Sequence, residues 1–231
     1  MTQLPSQLRL ADTGEAADLA AFLVRLLRWD KSAVVRLQVA GRALAVFGQP
    51  PFGGVLAVRT CALADPCECD ATVSAGQFLD AVDESAATAT VPPGVTGPSW
   101  AGVLPPRRGW RRIAELDAEQ LREAAAGVIA EFRARTEALD PEKRTRGELD
   151  ALAAQVWSRS LGETELPLRA VHAAHALGFL RPVRVSAGGG GAAPADGPGL
   201  FTSGPWLRLG TAYGSVVVRR ASGLGLVVSP V

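Results

Sequence analysis

Apolar residues recur along this chain at two different periods, and the change between them divides it. Over residues 15–28, Leu19, Phe22, Leu23, Leu26 and Leu27 fall at i, i+3, i+4, i+7 and i+8. That stripe predicts a helix lying on a core, with Arg25 and Arg28 off the apolar face. The period then shortens to two. Val35, Leu37 and Val39 alternate with polar neighbours, and residues 43–47 follow after Ala40, Gly41 and Arg42, which predicts a hairpin turning at Gly41. Residues 55–59 read as a third strand and 68–73 as a fourth. Ser74 and Gln77 have the spacing of a capping box, so a short helix with Phe78, Leu79 and Val82 inward is expected.

Pro92, Pro93, Pro98, Pro105 and Pro106, set among several Gly, interrupt both periods. We therefore read 1–91 as a helix plus antiparallel β region and 92–112 as a Pro-rich connector. Residues 113–231 read as three helices followed by a β hairpin with a Gly-rich loop, a part that can form one domain with 1–91. The first of these helices is capped by Asp117 and turns Leu121, Ala125, Val128, Ile129, Phe132 and Leu139 inward. Asp140 and Pro141 end it and suit the start of the second, which carries Leu149, Leu152, Val156 and Trp157. The third spans about 166–177. Gly178 suits the left-handed position after its end, Phe179 folds back on the last turn, and Pro182 blocks continuation. Strands are expected at 183–185, 206–209, 215–219 and 224–228, with a loop at 186–204. The fold class is α+β: an antiparallel sheet with an N-terminal helix, a three-helix middle segment and a C-terminal β segment.

With 231 residues, 48% apolar and 20% charged, the chain is long and apolar enough for a self-sufficient core. Arg outnumbers Lys by 22 to 2 and Ala is abundant, the usage of a GC-rich bacterial genome. The first residues lack a basic-then-apolar signal, and no apolar run is long and uninterrupted enough to cross a bilayer as a helix. Three Cys, an odd number, argue against a disulfide framework. The expectation is a soluble cytoplasmic protein without a membrane association.

Charge is more informative than composition. Residues 166–231 hold six Arg against one acid, Asp196, hence +5, and a chain of +1 overall leaves −4 for the rest. Cutting earlier, at Leu161, brings in Glu163 and Glu165 and leaves +3. Such a basic segment suits an anionic partner. Arg169, Arg181, Arg184, Arg208, Arg219 and Arg220 are thus candidate anion- or nucleic-acid-binding residues. Two helices, a strand, a loop and a strand in this order match a helix-turn-helix with a wing, in which the second helix would read the major groove. Against that, the helix near 166–177 offers only Arg169, His172 and His175 as polar side chains, and the rest suits a core. Arg107, Arg108, Arg111 and Arg112 cluster around Trp110, but Glu115, Asp117 and Glu119 follow at once, so this reads as a solvated connector anchored by its Trp.

Cys67 and Cys69 on one strand face, and His172 and His175 on one helix face, could together hold a Zn²⁺ ion. Their spacing matches no zinc finger or ribbon. Residues 188–193 fit G-x-G-x-x-A, but Pro194, Gly197 and Pro198 forbid the helix a dinucleotide site needs. There is no phosphate-loop, nucleophile-elbow or H-E-x-x-H motif, and the carboxylates lie on helix surfaces. No cofactor is expected. The reading favoured is a non-catalytic protein-binding or regulatory module whose partner is another protein. The alternatives are a nucleic-acid binder using the basic segment and, third, a zinc-binding protein.

Overall fold

The computed structural model describes residues 7–182 and 197–220. In chain order the described residues form β1 (Gln7–Arg9), α1 (Thr13–Trp29), β2 (Val34–Gly48), β3 (Leu56–Cys67), β4 (Asp70–Ser74), α2 (Ala75–Asp80), β5 (Val82–Asp83) and β6 (Thr88–Thr90). Then follow β7 (Arg111–Glu115), α3 (Ala118–Ala138), α4 (Arg146–Trp157), α5 (Leu168–Ala176), β8 (Gly199–Ser203), β9 (Trp206–Thr211) and β10 (Gly214–Arg219). The fold is α+β. The strands make a small sheet in the order β1-β6-β5 and a large antiparallel one in the order β4-β2-β3-β10-β9-β8-β7.

Helix α1 begins where the Glu15 amide donates to the Asp12 carboxylate at 2.9 Å, and its Leu19, Phe22, Leu23 and Leu26 are buried. The expected hairpin over 35–47 is corrected. Strand β2 runs unbroken from Val34 to Gly48, its first half paired to β4 (Val35 opposite Val73) and its second to β3 (Leu44 opposite Cys61). Gly41, at φ +63°, bends the strand at a bulge where the register shifts, so it redirects β2 instead of reversing it. Two distant strands offer ladders on opposite edges, which a local turn would forfeit.

Three further expectations change. Strand β7 starts in the last two residues of the segment read as a connector and runs on to Glu115, and β8 falls inside the expected loop 186–204; the two pair at the sheet's edge. Asp140 and Pro141 open a single 3₁₀ turn, Pro141–Lys143, and α4 starts only after Thr145, whose hydroxyl accepts the Glu148 amide. Arg184, the strands expected at 183–185 and 224–228, and most of the loop expected at 186–204 lie outside the described residues.

One face of the large sheet carries the main core. Leu44, Val46, Leu207, Leu209, Val216 and Val218 lie there against α1, α3 and α5. Helix α5 turns Ala170, Val171, Ala173 and Ala174 fully inward and packs on β9 and β10. The helix that a winged helix-turn-helix would set in the major groove is thus packed into the core on its apolar side, and β8–β10 complete a seven-stranded sheet. Helix α5 ends in a Schellman motif. Gly178, at φ +71°, donates to His175 and Phe179 donates back to Ala174. Phe179 then stacks on Phe22, with centroids 5.9 Å apart.

Among the described residues, one charged side chain sits within this core. Arg59 is 5% exposed; its Nη2 donates to Glu15 at 2.6 Å and lies 3.5 Å from Asp18, and its Nη1 donates to the Tyr213 carbonyl at 3.0 Å. Asp18 also pairs with Arg181.

The other face of the sheet is covered by the Pro-rich segment. Trp100, Leu104 and Trp110 pack on Phe47, Leu56, Val58, Trp206 and Val217. The two halves of the chain meet in the sheet itself, where β3 pairs β10 with Ser215, Val216 and Val217 opposite Val58, Ala57 and Leu56.

Candidate functional site

The loop between β2 and β3 carries Pro50 and Pro51, which restrict its start, then Gly53 and Gly54 at φ +56° and +75°. The paired left-handed glycines fold the loop back and set Phe52 between two aromatic partners. Its ring meets Trp29 edge-on at 5.2 Å and His172 at 4.8 Å. His172, on α5, stacks almost flat on Trp157 of α4 at 4.4 Å, and Trp157 tilts against Phe132 of α3 at 5.9 Å. Five rings thus run from the end of α1 to α3.

Beside this stack, between the loop and helices α4 and α5, lies a cleft of about 540 Å³, within the roughly 300–1,000 Å³ typical of ligand sites. Phe52, Trp157, Ala153 and Ala154 give it apolar walls; Arg169, His172, Asp150 and Ser158 supply its polar groups. Arg169 stands one turn before His172 on α5. Its Nε is buried without a hydrogen-bond partner, and among the described residues it makes no ion pair. An uncompensated guanidinium in a half-apolar cleft favours an incoming carboxylate, which it can grip with two parallel hydrogen bonds.

Burial, reinforced by the charge of His175, pushes the His172 pKa down to about 4. The ring is therefore neutral at pH 7 and stacks as an aromatic. Because its folded pKa lies below the unfolded value of about 6.5, the unfolded chain binds the proton first. This contribution to stability is fully present above pH ~6.5 and is lost as pH falls toward ~4. Thermal melts of His172→Gln should show a shallower loss between those pH values than wild type; parallel curves would refute the assignment.

The other candidates among the described residues do not converge on this cleft. Arg181 pairs with Asp18 and lies 3.6 Å from the Tyr213 ring centroid, and Arg220 pairs with Glu165 at 3.1 Å. Arg208 and Arg219 belong to the opposite sheet face, over aromatic rings at 4.6 and 4.8 Å, and burial lowers the Arg208 pKa. His175 is exposed at the end of α5.

The proposed zinc ligands are likewise not assembled. Cys67 ends β3 and Cys69 lies in the turn before β4, so the two do not share a strand face. His172 is held in the aromatic stack. Among the described residues no group of three or more His, Cys, Asp or Glu could hold a metal ion. Burial also pushes the thiol pKa values up, Cys61 to about 12 and Cys69 to about 11, with Cys67 raised too, which disfavours the thiolate. All three Cys are free. Alkylation at pH 7.5 should label native protein slowly and only at Cys67, reaching all three on denaturation. Fast labelling of Cys61 in the native state would contradict this packing.

Sequence reasoning selected Arg169 and His172 by residue type but missed Phe52, Trp157, Asp150 and Ser158. The available signal was Phe52 itself, a large aromatic framed by two Pro and two Gly, in a loop whose composition gives it no other reason to be there.

No helix of the described residues is long and apolar enough to cross a membrane. Two family models match the chain: Domain of unknown function (DUF8010) over residues 4–102 and Domain of unknown function (DUF8185) over 105–223. The second spans half of the chain, which thus belongs to the DUF8185 family. No curated protein and no solved structure matches it. The cleft takes Phe52 from the first matched segment and Trp157, Arg169 and His172 from the second.

Proposed function

We propose that this DUF8185 member is a non-catalytic protein-binding module whose cleft between the β2–β3 loop, α4 and α5 receives a partner's bulky apolar side chain next to a carboxylate. Arg169 carries the reading: a cation without an ion pair among the described residues, set in a cleft walled by Phe52 and Trp157. Trp and Arg are the residue types that most often dominate binding energy, above all where surrounding contacts exclude water. Trp29, 38% exposed at the end of the ring stack, extends the apolar rim beyond the cleft. A duplex-binding role has less support, because Arg181 and Arg220 are engaged by acids of this same chain.

Selection of a random peptide library on the intact protein tests the proposal. Enriched peptides should pair a bulky apolar residue with a neighbouring Asp or Glu. They should bind Trp157→Ala and Arg169→Gln more weakly by about 2 kcal/mol each, roughly thirtyfold, with circular dichroism unchanged. Peptides that bind both variants as tightly as wild type would overturn it. So would the absence of any enrichment together with salt-sensitive binding of duplex DNA.

A further inference from the structure

The sheet face turned away from the helices holds a second cavity. Small side chains line up on it: Ala43 and Ala45 of β2 and Ser215 of β10 leave a trough whose floor includes Val58 and Val217. Pro105, Pro106 and Trp110 of the Pro-rich segment line it too. Its volume is about 190 Å³, below the ~300–1,000 Å³ range of pockets for drug-sized molecules. A nucleotide is too large for it, and the occupant must be small.

Arg208 stands at one wall. Its guanidinium carbon lies 4.6 Å from the ring centroids of both Trp110 and Phe201. Among the described residues it makes no ion pair, and its Nε has no hydrogen-bond partner. Both rings lie within cation–π range of the guanidinium, whose five N–H donors lie in its own plane. The two rings restrain the group, and Arg208 is among the side chains that line the cavity. A charge held there without a counterion is costly unless a ligand supplies one. Arg107, across the cavity, is engaged with Gln38 at 3.3 Å and with Asp70 at 3.8 Å, so it adds positive potential more than a second open fork.

We propose that this cavity binds a small organic carboxylate with a flat apolar body, its carboxylate on the edge of Arg208 and its body against Trp110 and the alanine trough. The hydroxyls of Thr60 and Ser215, also on the lining, accept or donate to whatever polar substituent the body carries. The site is independent of the peptide cleft, which lies on the helical side of the sheet.

Sodium benzoate is the probe, titrated into the intact ¹⁵N-labelled protein while the indole N–H of Trp110, which donates to the Pro106 carbonyl at 2.8 Å, is followed by NMR. Benzoate should shift this resonance saturably, and benzyl alcohol and inorganic phosphate should not at equal concentration. Arg208→Gln should weaken benzoate at least tenfold, the scale of a lost charged hydrogen bond. Ala45→Trp fills the trough and leaves Arg208 in place; it should abolish the response and carries the test if Arg208→Gln fails to fold. Trp157→Ala, which empties the other cleft, should leave benzoate binding intact. No saturable shift, an equal response to benzyl alcohol or phosphate, or undiminished binding by Ala45→Trp would each overturn the proposal.

Discussion

Arg59→Ala should lower the stability of this protein by about 3 kcal/mol, the lower end of the 3–5 kcal/mol seen when one partner of a buried ion pair is removed. Arg59 is 5% exposed and serves Glu15, Asp18 and the Tyr213 carbonyl together, so its loss strands three acceptors from two segments, α1 and the β9–β10 turn. The lower end applies because Asp18 keeps Arg181, and Glu15 is exposed enough to turn partly to water. For a chain of this size, where 1 kcal/mol moves the midpoint by ~2–4 °C, the melting temperature should fall by roughly 6–12 °C. The double variant Arg59→Met/Glu15→Leu should regain part of the loss, since it removes the stranded charge as well as the pair. A fall of under about 3 °C for Arg59→Ala would mean that water already reaches this group.

Phe179→Ala should cost about 4 kcal/mol, in the range for truncating a buried aromatic. The Schellman turn aims this ring onto Phe22, and it rests against Gly214, where an added Cβ would lie 2.5 Å from the Phe179 Cζ. Gly214→Ala alone should therefore destabilise by about 1–3 kcal/mol through overpacking. In the double variant the alanine methyl enters the space the ring vacated, and the two costs should sum to less than their separate values. Strict additivity in denaturant melts would show that the ring and the glycine do not share a socket.

These sites differ in how far the chain announces them. The α1 stripe and the Gly178–Phe179 stop depend on spacings within a few residues, so local pattern is enough to place them. Strand β2 defeats the same logic. A glycine between polar neighbours looks the same in a turn and in a bulge, and the choice lies with β3 and β4, which follow it in the chain. Strand β7 is hidden by its arginines, which an edge strand tolerates because one side faces water. The cleft is further out of reach, because Phe52 and His172 meet only once the sheet has brought the β2–β3 loop to α5. Charge was legible as a total but not as a wiring. The excess of arginine in the last third is partly answered within the molecule, by Asp18 for Arg181 and Glu165 for Arg220. A net imbalance along a sequence can thus be intramolecular glue as readily as a surface for others.

The join between β3 and β10 has a consequence for how this chain can be divided. The two family matches meet between residues 102 and 105, while the sheet runs through both. A scission there would leave each fragment with a bare strand edge, β3 on one and β10 on the other, whose ladder partner is on the other fragment. Produced alone, such fragments would be sticky and short-lived; co-expressed, each would template its counterpart, making the protein a natural starting point for a split-complementation sensor.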